Sequence, residues 1–187
     1  MRVLVACEES GIVRDAFTAR GHDAVSCDIL PSRSEGPHMN RNVMSLPAGL
    51  LKKFDLIIAH PPCTAIAVSG NRWYAGSQAR SDAVEMVRRI WNWPVEKLCI
   101  ENPVGVLNTM CSELPRPQYI QPWMFGHGET KKTGLWTRGL PPLEPTNYVE
   151  GREQKVWRMA PSETRQRDRS VTFQGIADAM AEQWGEE

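Results

Sequence analysis

The chain has almost no net charge: within 187 residues, 22 lysines and arginines balance 22 aspartates and glutamates. A neutral chain has no strong global field to gather a polyanion, so any contact with nucleic acid must be made by a local group of basic side chains. Paired cysteines are missing too. The five cysteines, Cys7, Cys27, Cys63, Cys99 and Cys111, are odd in number and form no C-x-x-C pair. That argues against a disulfide framework and a zinc ribbon, and for free thiols in a reducing cytoplasm. No metal site is expected. No apolar run approaches the length of a bilayer span, and the short apolar start ahead of Glu8 and Glu9 does not have the form of a signal peptide. A cytoplasmic protein without membrane contact is the expectation. The first loop, CEESG, is poor in glycine and so makes a poor cradle for phosphate. A cofactor without phosphate suits it better, and S-adenosylmethionine is one.

What is present reads as one α/β domain over 1–187, long enough to bury a core. Arg2 to Ala6 is a short valine-rich strand. Ser10 suits an N-cap for a helix carrying Ile12, Val13, Ala16 and Phe17, which Gly21 closes, and Asp23 to Asp28 is a second strand. Pro31 to Pro47 reads mostly as loop, with a short strand near Asn42 to Met44. Asp55 to Ala59 is the clearest buried strand, and His60-Pro61-Pro62-Cys63 must turn, because proline cannot continue a central strand. Ser81 to Trp91 shows a helical face of Val84, Val87 and Trp91. Lys97 to Glu101 is the next strand, stopped by Pro103. Strands alternating with helices predict a doubly wound, mostly parallel, Rossmann-like sheet. Tyr148 to Arg169 is highly charged and expected to be exposed. Ile176, Met180 and Trp184 mark one face of a closing helix. Trp91 and Trp184 read as core, whereas Trp73, Trp123 and Trp136 fall nearer the expected ligand edge, where a tryptophan stacks on a base.

In an open α/β sheet, ligands bind beyond the carboxyl ends of the strands. Four unusual segments end strands here: Cys7 to Gly11, Asp28, His60 to Thr64, and Glu101 to Pro103. Asp28 lies where such sheets place the acid that binds ribose hydroxyls, since one carboxylate accepts two hydrogen bonds from a vicinal diol. Pro61-Pro62-Cys63 presents a thiol from a stiff turn, and such a thiol, once deprotonated, attacks an electron-poor carbon. The bland alternative is a small cysteine after a rigid turn. Glu101 adds to the first reading, because addition of sulfur to C6 of a pyrimidine needs an acid at N3. His60 stands where it either tunes the Cys63 thiol or serves structure alone.

The order of these segments resembles the cytosine-C5 DNA methyltransferases, and most closely the compact phage and prophage members. The resembling stretches are VACEESGIVRDAF, AHPPCTAIAVSG, IENPVG, FGHGETKKTGLW and FQGIADAMAEQW, which span nearly the whole chain. The resemblance implies S-adenosylmethionine as cofactor and a catalytic group of Cys63 as nucleophile at C6, Pro62 beside it, Glu101 protonating N3 and Asn102 holding the loop. It implies a cofactor site of Cys7, Glu8, Ser10, Gly11, Asp28, Ile29, Asn42 and Pro61. Asn42 stands where the family has an adenine-binding aspartate. Lys131 and Lys132 fall where the family has arginines steadying the flipped base, so bidentate contacts are lost. Only Glu144 to Arg169 occupies the place of a target-recognition domain. DNA, as duplex or single strand, or a pyrimidine nucleotide is the expected partner, with a protein partner or a second copy of the chain left open.

Other readings stay open at this stage. Methylation of an exocyclic amine is disfavoured, because His60 and Cys63 replace the Asp-Pro-Pro-aromatic pattern of those enzymes. C5 chemistry on RNA or a free nucleotide, and a non-catalytic nucleotide-binding module in a phage modification or anti-restriction system, both remain.

Overall fold

In the computed structural model, which describes residues 1–155, 159–160, 162 and 165–186, seven strands form one sheet. They are β1 (Arg2–Ala6), β2 (Asp23–Asp28), β3 (His38–Asn40), β4 (Leu56–Ala59), β5 (Lys97–Pro103), β6 (Gln118–Ile120) and β7 (Thr133–Arg138), in the order β3-β2-β1-β4-β5-β7-β6. The first five are mutually parallel, and β7 runs antiparallel to both β5 and β6. Strand order reverses between β1 and β4, the switch point at which doubly wound sheets open a ligand crevice.

The helices are α1 (Ile12–Ala19), α2 (Ala48–Leu51), α3 (Asn71–Tyr74), α4 (Gln78–Trp91), α5 (Leu107–Met110), α6 (Arg165–Ser170) and α7 (Gln174–Gly185). Alternate residues of each strand feed two separate cores, as the strand period of two requires. Leu4, Ala6, Ile57, Ala59, Leu98 and Ile100 pack with Val84, Val87 and Ile90 of α4. Val3, Val5, Leu56, Ile58 and Cys99 face the other way, onto Val13 and Phe17 of α1 and Ile176, Met180 and Trp184 of α7.

Several expectations need correction. The short strand is His38–Asn40, not Asn42 to Met44; the Asn42 side chain instead accepts from the amide of Met44 and starts a tight 3-10 turn. A side chain that bonds locally to the backbone competes with the strand ladder. Helix α4 begins three residues before Ser81, because the Ser77 hydroxyl caps it by accepting from Arg80 N. Strand β5 continues past Glu101 to Pro103, held by antiparallel pairing with β7. Trp136 is not at the ligand edge: it is 1% exposed, within the core on the α4 side. Trp123 stacks instead with Tyr148, at 5.9 Å between ring centroids, beneath the Arg152 guanidinium.

The charged segment is exposed over residues 150–155, as expected, and it also makes contacts. Its described part pairs Glu153 with Glu129 and docks α6 on the mouth of the crevice. The rest of that expectation falls on residues 156–158, 161 and 163–164, outside the described residues.

Candidate active site

All four strand-end segments line one cavity of about 1270 Å³. That exceeds the usual few hundred to a thousand Å³ of a single-ligand pocket, so there is room for a cofactor and a second reactant together. On one side lie Cys7 to Ser10, Asp28 to Leu30, Asn42 and Pro61; on the other lie Cys63, Trp73, Glu101, Lys131 and Lys132.

The first side is built on a strained turn. Cys7, directly after β1, has φ of 58°, the one positive φ outside glycine among the described residues. Backbone of that kind costs energy in an L-residue and gathers at functional sites. Gly11 follows with φ of 79°, and a Cβ there would meet the Ser34 hydroxyl at 2.2 Å, so only glycine fits. Ser10 covers one amide at the start of α1, its hydroxyl accepting from Ile12 N at 3.4 Å, and a second residue covers the amides that follow. Glu8 does so from inside: Oε1 accepts from Val13 N at 2.7 Å and from the Ser10 hydroxyl at 3.2 Å, and Oε2 accepts from Arg14 N at 3.2 Å. Burial pushes the Glu8 carboxyl up, while the His60 charge and these donors pull it down. Its oxygens are committed to Ser10 and the start of α1, so it shapes the Cys7 to Gly11 turn. Glu8→Ala is expected to cost about 1–3 kcal/mol of stability by orphaning two amides. A urea midpoint equal to that of the parent protein would show that the cap carries no weight.

Asp28 ends β2 with Oδ1 accepting from Leu30 N at 2.9 Å. Beside it Ile29 is 69% exposed in the cavity wall, an apolar face with nothing over it. A carboxylate, which accepts hydrogen bonds, next to an uncovered aliphatic side chain is a pairing suited to a nucleoside, with hydroxyls at one end and a flat ring at the other. Asn42 also reaches the cavity, with its oxygen engaged at Met44 N. Behind this wall lies a residue that sequence reasoning missed. Arg14, fully buried, donates to the hydroxyls of Ser26, Ser32 and Ser34 and to the carbonyl of Glu35, fastening the loop that follows Asp28. The signal available was a run of serines facing an arginine on an apolar helix.

The second side is stitched across β4 and β5. Asn102 Nδ2 donates to the Pro61 carbonyl at 2.8 Å, Val68 N to Val104 O, and Val106 N to Ile66 O. Gly105 permits this approach, since a Cβ there would lie 2.2 Å from the Ile66 carbonyl. The Cys63 turn is thus braced on the Glu101-Asn102-Pro103 strand end. Ala59 pairs with Ile100, so His60 and Glu101 are the next residues of adjacent strands, and His60 Nδ1 lies 2.8 Å from Glu101 Oε2.

Electrostatics sets the resting protons. Burial pushes the Cys63 thiol up, the Glu101 charge adds to this, and Lys131 and Arg169 oppose it. Burial also pushes Glu101 up, but the His60 hydrogen bond and the charges of Lys131 and His60 outweigh it, leaving the carboxyl below its ordinary range. The resting site therefore pairs a neutral thiol with a carboxylate. Lys131 is anchored by donating to the Val171 carbonyl at 3.1 Å. Pro62 is exposed beside Cys63, and Trp73, 73% exposed, stands on the rim. Across the mouth, Glu9 ion-pairs with Arg33 at 2.6 Å and with Arg167, tying α6 to the first loop.

No family model matches the chain, and neither does any curated protein. Solved structures do match. One is a proposed DNA modification methyltransferase encoded within a prophage (E. coli), at TM-score 0.55 and 14% identity, with 86% of this chain and 55% of that chain covered. Another is a methyltransferase of Entamoeba histolytica, at TM-score 0.54 and 12% identity, covering 82% of this chain and 57% of that one. The chain thus spans a little over half the length of these structures. The likeness shows the fold: a Rossmann-like methyltransferase sheet with one reversed strand.

Proposed function

We propose that this chain is an S-adenosylmethionine-dependent methyltransferase acting at C5 of cytosine, with DNA as substrate and Cys63 as a transient covalent nucleophile. The observation that carries this reading is the convergence of Cys63, Glu101 and the Asp28–Ile29 wall on one cavity. The single chain forms one catalytic domain on this reading, working in the cytoplasm. Lys131, Lys132 and Arg169 at the mouth supply locally the positive charge that the chain lacks overall, which favours a phosphate-bearing polymer.

When bound, the cofactor supplies an electrophilic methyl group. Asp28 would hold its ribose and Ile29 its ring, with the Cys7 to Ser10 part of the turn against the remainder, and Gly11 packed behind it against Ser34 and Arg14. The chain's own residues activate the base. Sulfur of Cys63 bonds to C6, the C5=C6 π electrons move onto C5, and N3 must gain a proton. The resting protonation provides that proton from within: it leaves the Cys63 thiol, and Glu101 accepts it and delivers it to N3. Collapse reverses this sequence. Once C5 has taken the methyl group, it gives up its hydrogen as a proton to solvent, the C5=C6 bond re-forms as sulfur leaves with its electron pair, N3 returns its proton to Glu101, and Glu101 hands it back to the Cys63 thiolate. A target inside a duplex must first be flipped out, at a cost of a few kcal/mol.

The test is mass spectrometry of nucleosides from DNA, RNA and nucleotide pools incubated with the protein and labelled cofactor. 5-Methylcytosine in the DNA is expected. Label on an exocyclic amine, or in no substrate while the cofactor binds, would overturn the reading. Asp28→Ala is expected to weaken cofactor binding by roughly ten- to a hundredfold, the worth of hydrogen bonds to a carboxylate. Titration calorimetry with undiminished affinity would remove Asp28 from the site.

A further inference from the structure

Among the groups at the base of the cavity, His60 is the one the proposed reaction leaves without a task. Its side chain and that of Glu101 are each only 9% exposed, and the Nδ1–Oε2 contact of 2.8 Å joins them. The opposite nitrogen, Nε2, is buried with no hydrogen-bond partner. A histidine kept for structure is normally satisfied on both nitrogens. Here, among the described residues, the ring makes one polar side-chain contact, and that contact is Glu101. Because a carboxylate can only accept, the proton of that bond sits on Nδ1. Glu101 lines the cavity, and among the described residues its hydrogen bond is made through Oε2, so one carboxyl oxygen is fixed and the other is left uncommitted.

We propose that His60 is the positioning residue for Glu101: its Nδ1–H fixes Oε2, presents Oε1 to the base, and holds the carboxylate that re-forms each time N3 takes a proton. This rests on the C5 reading above and goes beyond it, since it assigns His60 to the acid rather than to the thiol. Bonds balance without a further reactant: the Nδ1–H hydrogen bond persists throughout, and only the Glu101 proton moves to N3 and back. The other titratable or charged groups facing this pair are Glu8 from the first loop, Lys131 ahead of β7, and the Cys63 thiol on the turn, with Arg169 of α6 acting on Cys63.

The sign of the pH effect follows from the need for a carboxylate to accept the thiol proton. Activity is lost as pH falls through the Glu101 carboxyl, which the His60 bond and charge hold below its ordinary range. His60→Asn keeps an N–H donor near the Nδ1 position but removes the titratable ring. It is expected to retain most of kcat while the acid limb of kcat/KM moves to higher pH. His60→Ala loses donor and charge, and kcat is expected to fall on the order of ten- to a hundredfold with KM little changed.

A second measurement does not depend on turnover or on these variants folding. Nitrogen NMR of the parent protein and Glu101→Gln, without substrate, reads the His60 ring directly. A hydrogen-bonded Nδ1–H that changes in Glu101→Gln is expected. Unchanged kcat and acid limb in both His60 variants of a protein that methylates DNA would overturn the positioning role alone. A ring that ignores Glu101→Gln would also overturn it. A ring that responds in a protein that methylates nothing would leave the pair standing but remove the C5 reading, and this proposal with it.

Discussion

Cys63→Ser is expected to reduce methylation by at least about 10⁴-fold, because loss of the nucleophile disables the whole chemical sequence rather than one contribution to it. The same variant should abolish a covalent intermediate that the parent protein can be made to display. DNA carrying fluorine at C5 of cytosine has no hydrogen there to lose, so the alkylated adduct cannot collapse. A protein–DNA complex surviving denaturing electrophoresis is expected, dependent on S-adenosylmethionine and missing from Cys63→Ser. The other cysteines are poor substitutes. Cys27, Cys99 and Cys111 are buried in the cores, and Cys7 is held in the strained turn with burial pushing its thiol far up. An adduct mapped to any of them would displace Cys63 as the nucleophile. Methylation with no adduct would point to direct transfer.

Glu101→Gln is expected to fold and to lose about 10²- to 10⁴-fold in kcat, since an amide cannot pass a proton to N3. The electrostatics adds a consequence with the opposite sign. The Glu101 charge helps to hold the Cys63 thiol up, so its removal should make that thiol more acidic. Cys63 in Glu101→Gln should therefore be alkylated faster by iodoacetamide at a given pH while catalysis collapses. A merely damaged site would not show that divergence. Catalysis near the parent rate would make Glu101 structural, and slower alkylation would overturn the protonation scheme of thiol plus carboxylate.

The sheet itself was legible because buried strands announce themselves as short apolar runs. RVLVA, DLIIA and KLCIE each carry alternate residues for two cores, and each runs into residues that no core would choose. The strand-end principle then placed Asp28, Cys63 and Glu101 on one edge without any knowledge of distances. Local competition was less visible. Whether Asn42 enters a strand or caps a turn, and which amides at the start of α1 fall to Ser10 and which to Glu8, depends on hydrogen bonds of similar strength differing by small free energies.

By itself the sequence determined strands β1, β2, β4 and β5, helices α1, α4 and α7, the mostly parallel class of the sheet and the residues available for chemistry, because periodicity and proline act over a few neighbouring residues. The tertiary structure alone decided who faces whom. It reversed β7 against β5, drew Trp136 into the core, clasped α6 to the first loop through Glu9, and fastened the Asp28 loop with Arg14. It also set His60 against Glu101, which lies 41 residues away in sequence. Such contacts arise from strand register and burial, where the cost of leaving a polar group unpaired selects partners that no local pattern encodes.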